Sequence, residues 1–278
     1  MNISEASKRY LDYHRLNSKK DTVYNYKSLL SKFCLAFGDR ELDSLTLDEI
    51  YLFLTRRTEG NKKSTRRLRF SLLTSFFNFV RNTIDPDTPN PCDSPILKKS
   101  FRVPKPNRWK ILEKEVVDEM IYRTAKSRDR LLLEVMARGG MRIGEVVKLR
   151  PVGILDRKLI IRDPKSGKES EVVFIPQKLA DRLKEYIRDE GIQENERIFR
   201  LSTQGAREVV KRAARLVGVN VRPHDLRRFA ATYASRSGTP LEIVSKVILR
   251  HTDLQTTQRY LGKVSDEEAM RWIDQLHA

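Results

Sequence analysis

Residues 224–260 read H-D-L-R-R-F-A-A-T-Y-A-S-R-S-G-T-P-L-E-I-V-S-K-V-I-L-R-H-T-D-L-Q-T-T-Q-R-Y, and the rest of the chain is organised around them. His224 and Arg227 stand at i and i+3, so on a helix they project from one face. The polar turn Ser237-Gly238-Thr239-Pro240 ends that helix, as such residues do. The apolar run Leu241-Glu242-Ile243-Val244 follows, and His251 comes nine residues before Tyr260. Imidazole, guanidinium and phenol are the groups needed to hold a phosphodiester and attack it.

Composition points the same way. The 278 residues carry a formal net charge of +18, and an excess of that size suits a polyanionic partner. The plainer reading is a soluble basic protein. Lys and Arg recur through the whole chain and not in one tail, which favours nucleic acid. With 39% hydrophobic residues a buried core is feasible, so global disorder is excluded. The two cysteines, Cys34 and Cys92, form no CxxC and no metal-ligand pattern with the four histidines. A reducing compartment fits them better than a structural disulfide. The start Met1-Asn2-Ile3-Ser4-Glu5 is no signal peptide, and no apolar run has bilayer length. A cytoplasmic, nucleoid-associated protein is therefore expected.

The spacing of residues 1–83 predicts four helices and no strand. Ser4 is a candidate cap for a helix carrying Ala6, Tyr10, Leu11 and Tyr13. A second helix starts near Asp21, places Val23, Tyr26, Leu29, Leu30, Phe33 and Phe37 at helical spacing, and stops at Gly38-Asp39. Thr46-Leu47-Asp48-Glu49 is a capping-box signature ahead of Ile50. A fourth helix from Ser64 mixes an aromatic stripe, Phe70, Phe76, Phe77 and Phe79, with Arg66, Arg67 and Arg69. The stripe reads as core. The arginines, with Lys62 and Lys63, read as phosphate contacts.

Residues 84–108 read as a basic Pro-rich linker, with Pro86, Pro89, Pro91, Pro95, Pro104 and Pro106 among polar residues. Repeated proline predicts an extended strap. Its Lys98, Lys99, Arg102, Lys105 and Arg108, with Lys110 beyond, suit a phosphate backbone, and a solvated spacer is the bland alternative. Residues 109–278 then form the second domain. Helical periodicity over 113–122 and 128–136 leads to A-R-G-G-M-R-I-G-E, where Gly139-Gly140 turn and Arg142 opens a new helix. Glu145, at i+3, can brace the Arg142 guanidinium. Residues 158–162 and 170–175 predict a β-hairpin with Lys165 in its turn. Helices are predicted over 177–188 and 203–217. An amphipathic helix through Ala269, Trp272, Ile273 and Leu276 closes the chain.

Arg142, Lys165, His224-x-x-Arg227, His251 and Tyr260, in that order and at those separations, resemble the tyrosine recombinase family. The likeness spans essentially the whole chain, and the short length is closer to compact Xer-type members than to larger phage integrases. It implies a mainly α fold with a small antiparallel β-sheet. A helical, SAM-like core-binding domain (1–83) and a linker would precede a catalytic domain, the two closing as a C-shaped clamp around DNA. The implied activity is site-specific cleavage and rejoining of a double-stranded recombination site through a covalent 3′-phosphotyrosine, with neither metal nor ATP. The catalytic set would be Arg142, Lys165, His224, Arg227, His251 and Tyr260. Arg142 and Arg227 neutralise the phosphate, Tyr260 attacks, Lys165 protonates the departing 5′-oxygen, His224 assists proton transfer and His251 bonds the phosphate, with Glu145 supporting Arg142. The resemblance also implies a homo-tetramer in the synaptic complex, from a monomeric or dimeric free form. Trp272 and Ile273 of the last helix would be anchors, docked in cis or in a neighbouring subunit. Three features depart from the family pattern. The segment between Leu149 and Lys158 is short, Lys168 competes with Lys165 for the lysine role, and Arg250 stands where many relatives have glycine. A type IB topoisomerase-like relaxing enzyme uses similar residues, and a non-catalytic helical DNA-binding protein would need none of them.

Overall fold

The computed structural model describes residues 1–103, 111–162, 164, 169–258, 261, 270 and 273–274. The chain folds as two compact units, Met1–Asn107 and Arg108–Ala278.

The first unit is helical. It comprises α1 (Ile3–Asn17), α2 (Lys20–Phe37), α3 (Leu47–Arg57), α4 (Lys63–Phe79) and α5 (Pro95–Ser100). The cap of α1 is Asn2, whose side chain accepts from the Glu5 amide, and not the predicted Ser4. Ser4 instead lies over the end of α2, where a Cβ on Gly38 would fall within 2.4 Å of its hydroxyl. The Thr46–Glu49 capping box forms in both directions. The periodic apolar residues of α1, α2 and α4 close one core. Phe33, Phe70, Phe76 and Phe77 are fully or nearly fully buried, so the aromatic stripe of α4 is packing.

Residues after 84 depart from the extended strap. Pro91 and Pro95 each occupy the first turn of a short helix, Pro91–Asp93 and α5. There the missing N–H costs nothing and the fixed φ helps. Asn90 caps the first of these by accepting from the Cys92 amide. Cys92, Leu97 and Phe101 then bury themselves in the first unit's core, Phe101 stacking on Phe70 at 5.3 Å. Both cysteines are free. Lys105, Arg108 and Lys110 lie outside the described residues.

The second unit contains α6 (Lys114–Tyr122), α7 (Ser127–Gly139), α8 (Ile143–Val146), α9 (Gln177–Asp189), α10 (Thr203–Leu216), α11 (Pro223–Arg236) and α12 (Leu254–Gln258). A three-stranded antiparallel sheet joins them, β1 (Ile154–Leu155), β2 (Lys158–Arg162) and β3 (Ser170–Phe174), in the order β1-β2-β3. The hairpin is as predicted. The short edge strand β1 is additional, with only two residue pairs to mark it. On β3 the buried positions are Glu171 and Val173, while Val172 and Phe174 face outward. A carboxylate thus occupies a core-facing place directly opposite Ile161. Helices α7 and α11 carry much of the core, through Leu132, Leu133, Met136, Leu226 and Phe229. Among the described residues no helix is long and apolar enough to cross a membrane.

Candidate active site

The site is built around the corner that follows α7. Gly140 takes the left-handed conformation, φ +61°, and a Cβ there would fall 2.9 Å from the Ile248 side chain. Only glycine allows the chain to turn so close to the segment that leads into His251. Arg142 then caps α8. Glu145, one turn on, accepts from the Arg142 amide at 2.9 Å and from its Nη1 at 2.6 Å. The predicted brace of the guanidinium is therefore made, and the other carboxylate oxygen caps the start of α8. The Arg142 side chain keeps about a quarter of its surface exposed, whereas that of Glu145 is 6% exposed.

Helix α11 presents the His224-x-x-Arg227 pair in its first turns. The Asp225 carboxylate accepts from the Arg222 amide and pairs with Arg228 at 2.9 Å. His224 lies at the exposed edge of the helix. Its pKa is lowered from the usual histidine value by partial desolvation, then by the charges of Arg228 and Arg227. Arg227 has no exposed surface. Its two terminal nitrogens donate to the carbonyls of Gly140 and Leu249. The guanidinium therefore ties the Arg142 corner to the approach to His251, and reaches the site as a charge held beneath its floor.

The chain between α11 and α12 forms one wide helical turn, Ile243–Ile248, and then brings Arg250 and His251 to the same corner. His251 Nδ1 lies 3.0 Å from the Thr257 hydroxyl, which donates to Ser245 Oγ at 2.7 Å. Thr257 and Ser245 are wholly buried, so this hydroxyl chain fixes the ring. With Thr257 committed as a donor to Ser245, Nδ1 is assigned the proton and Nε2 the lone pair. Desolvation, then the charges of Arg227, Arg142, Arg250 and His224, lower the His251 pKa to about 4. The imidazole is neutral at pH 7.

Arg142, the His224–Arg227 pair and His251 are thus brought together from three segments, with Glu145 behind Arg142. Lys165, Lys168 and Tyr260 lie outside the described residues, as does Trp272, while Ile273 is exposed. Two participants escaped the sequence. Arg250 pairs with Glu145 at 2.7 Å and with Glu171 at 3.0 Å. The signal for Glu171 was there in the pattern, a charge sharing a strand face with Val173 and Ile175. Among the described residues no three of His, Cys, Asp and Glu stand close enough to hold a metal ion.

The first unit carries basic residues of its own. Arg67 is exposed and lies over the Phe70 ring at 5.2 Å, and Arg66 lies over Phe101 at 5.4 Å. Arg67 also lines an open cleft of about 600 Å³, together with Thr74, Lys98 and Arg102, and Lys62 and Lys63 are exposed at the start of α4. Arg69 is half-buried against the same helix.

Residues 110–267 match the family described as "Phage integrase family", and residues 8–83 match "Phage integrase, N-terminal SAM-like domain". The tyrosine recombinase XerC of Leptospira interrogans (serovar copenhageni) is 25% identical, with 96% of this chain and 91% of that protein covered. The tyrosine recombinase XerA of Pyrococcus furiosus is 27% identical over 92% of this chain and 89% of its own length. Among solved structures, the Tn1549 transposon integrase in complex with transposon right end DNA superposes with a TM-score of 0.76 at 15% identity, each chain covered completely. A lambda integrase dimer bound to a COC′ core site gives 0.71 at 18% identity, over 94% of this chain and 77% of that one.

Proposed function

Given that the chain belongs to the phage integrase family, we propose a division of chemical labour among its residues for an activity that follows from that membership. The protein is a tyrosine recombinase that breaks and rejoins DNA strands in site-specific recombination. The relaxing enzyme and the non-catalytic binder are not favoured. The observation that carries the assignment is the meeting of Arg142, the His224–Arg227 pair of α11, and His251 at one corner, from three different stretches of chain.

Tyr260 is the nucleophile. Its oxygen bonds to the scissile phosphorus, the bond from phosphorus to the 5′-oxygen breaks, and the 3′ end stays on the enzyme as a phosphotyrosine. The Tyr260 proton passes to a neutral imidazole, His224 in the first place. The departing 5′-oxygen takes its proton from Lys165. Charge growing on the non-bridging oxygens is met by Arg142 directly, through the half of its guanidinium that Glu145 leaves uncovered, and by Arg227 from beneath. His251 bonds the phosphate. A phosphate anion offsets the surrounding arginine charges, so its arrival raises the His251 pKa and favours the donor form. Because the phosphotyrosine conserves the energy of the broken bond, rejoining needs no ATP.

Residues 1–83 supply the core-binding domain, with Lys62, Lys63, Arg66, Arg67 and Arg69 on the DNA backbone, and Lys98 and Arg102 extend that face. Lys105 and Arg108 of the linker are assigned to the same role, ahead of the catalytic domain at 109–278. Lambda integrase has been captured as a dimer on a core site and as a tetramer on a Holliday junction, which supports a tetramer on two duplexes here.

The test is covalent capture. The protein is mixed with nicked genomic fragments, separated under denaturing conditions, and the attached DNA is sequenced. Wild type should retain a defined set of sequences, and Tyr260→Phe should retain none while still binding DNA under native conditions. Equal retention by both proteins would remove Tyr260 from its role.

A further inference from the structure

Arg250 takes a left-handed backbone conformation, φ +52°, which costs a non-glycine residue of order 1 kcal/mol or more and persists only where something compensates. The compensation is visible in the side chain. Its Nη2 donates to Glu145 at 2.7 Å, its Nε to Glu171 at 3.0 Å and its Nη1 to the Ile248 carbonyl at 3.0 Å. The side chains of Arg250, Glu145 and Glu171 are each only 5–6% exposed. Arg142 completes the group, bonded to Glu145 and 4.0 Å from Glu171. Among the described residues two buried carboxylates thus face two guanidiniums, and Arg250 is the one that reaches both carboxylates within hydrogen-bond distance.

Remove Arg250, and Glu145 and Glu171 both lose the donor they share. Glu171 is already near enough to Arg142, at 4.0 Å, to draw its guanidinium inward. A guanidinium engaged by two carboxylates has little left for a phosphate. We propose that Arg250 is a positioning residue for Arg142: by satisfying Glu171 and the second oxygen of Glu145, it keeps the exposed half of the Arg142 guanidinium directed at the scissile phosphate. This rests on the assignment of Arg142 to that phosphate. It also gives the polar Glu171 on the buried face of β3 a charged donor, the Arg250 guanidinium.

The experiment uses the full chain and three variants, Arg250→Gly, Glu171→Gln and Arg250→Gly/Glu171→Gln. Glycine suits the positive φ, so the backbone turn survives. Two readouts are taken on protein shown to be folded by its amide spectrum. One is the affinity for inorganic phosphate, followed through the imidazole resonances of His224 and His251. The other is the rate of covalent capture on the DNA recovered with wild type. Arg250→Gly should lose about tenfold or more in both, the double variant should return to within about threefold of wild type, and Glu171→Gln alone should stay within that range. A residue that merely held the fold together would not be rescued by removing a second partner. The proposal is overturned if Arg250→Gly binds phosphate as wild type does, or if the double variant is as impaired as the single one. Absence of covalent capture by wild type would count against the recombinase chemistry, and the phosphate titration would still decide the role of Arg250.

Discussion

Arg66 and Arg67 on α4 carry the same charge as Arg142 and Arg227 at the catalytic corner, in opposite surroundings. The first pair lie over aromatic rings at the surface, with no carboxylate partner among the described residues. The second pair are anchored, Arg142 by Glu145 and Arg227 by two backbone carbonyls. An exposed, unpaired guanidinium attracts any phosphate that comes near, in many geometries. A guanidinium anchored on one side accepts a phosphate in one place only. The difference separates holding DNA from acting on it, and each half can be broken without the other.

The largest effect is expected from Arg227→Ala. Two buried carbonyls lose their donor and a cavity opens at the centre of the second unit, which together should destabilise that unit by about 3–5 kcal/mol. Urea unfolding followed by the Trp signal and by far-UV circular dichroism would read this, and covalent capture should disappear even at temperatures where the protein stays folded. A stability change under about 1 kcal/mol would mean that the two carbonyl bonds contribute nothing that solvent does not replace.

Arg66→Ala/Arg67→Ala tests the other half. Neither side chain holds anything in place except its contact with a ring, so the urea midpoint should move by less than about 1 kcal/mol. Affinity for duplex DNA at moderate salt should fall roughly 10- to 100-fold, and the slope of log K against log salt should flatten by about 0.9 for each phosphate no longer neutralised. An unchanged slope would take α4 off the DNA backbone.

What the sequence disclosed divides along the same line. Features set within a few residues were legible: the Thr46–Glu49 box, the α4 stripe, the Arg142–Glu145 brace and the β-hairpin all follow from local spacing. Arg227 was legible as a residue of the site but not as a tie, because its partners Gly140 and Leu249 are distant in the chain and offer only backbone oxygen. The strap at 84–103 misled because proline is a helix breaker in the interior and a helix starter at the first position, and composition does not separate the two. Glu171 was passed over as an ordinary strand residue, although its register placed it on the face that Leu159, Ile161 and Val173 fill. A charge on a buried face requires a partner. That partner, Arg250, was visible only as a departure from a family pattern, and its positive φ is a conformation that glycine adopts without steric cost.

The smallest effect is expected from pH, and it depends on the sign of the His251 shift. The His251 pKa is about 4 in the folded chain, below the ordinary histidine value of about 6.5 that holds when it is unfolded. Between those values the unfolded chain binds the extra proton, so stability is full above pH 6.5 and declines as pH falls toward 4. Partial exposure of the ring softens the penalty to about 1 kcal/mol over that range. His251→Gln keeps a side chain able to bond Thr257 and cannot titrate. The difference in urea midpoint between wild type and variant should therefore narrow or reverse from pH 7 to pH 4.5, with His224 and the carboxylates common to both. If the difference stays constant across that interval, His251 is not held neutral by its neighbours. The arginines around it would then be screened as thoroughly as those on α4, and the contrast between anchored and solvated charge would lose its electrostatic half.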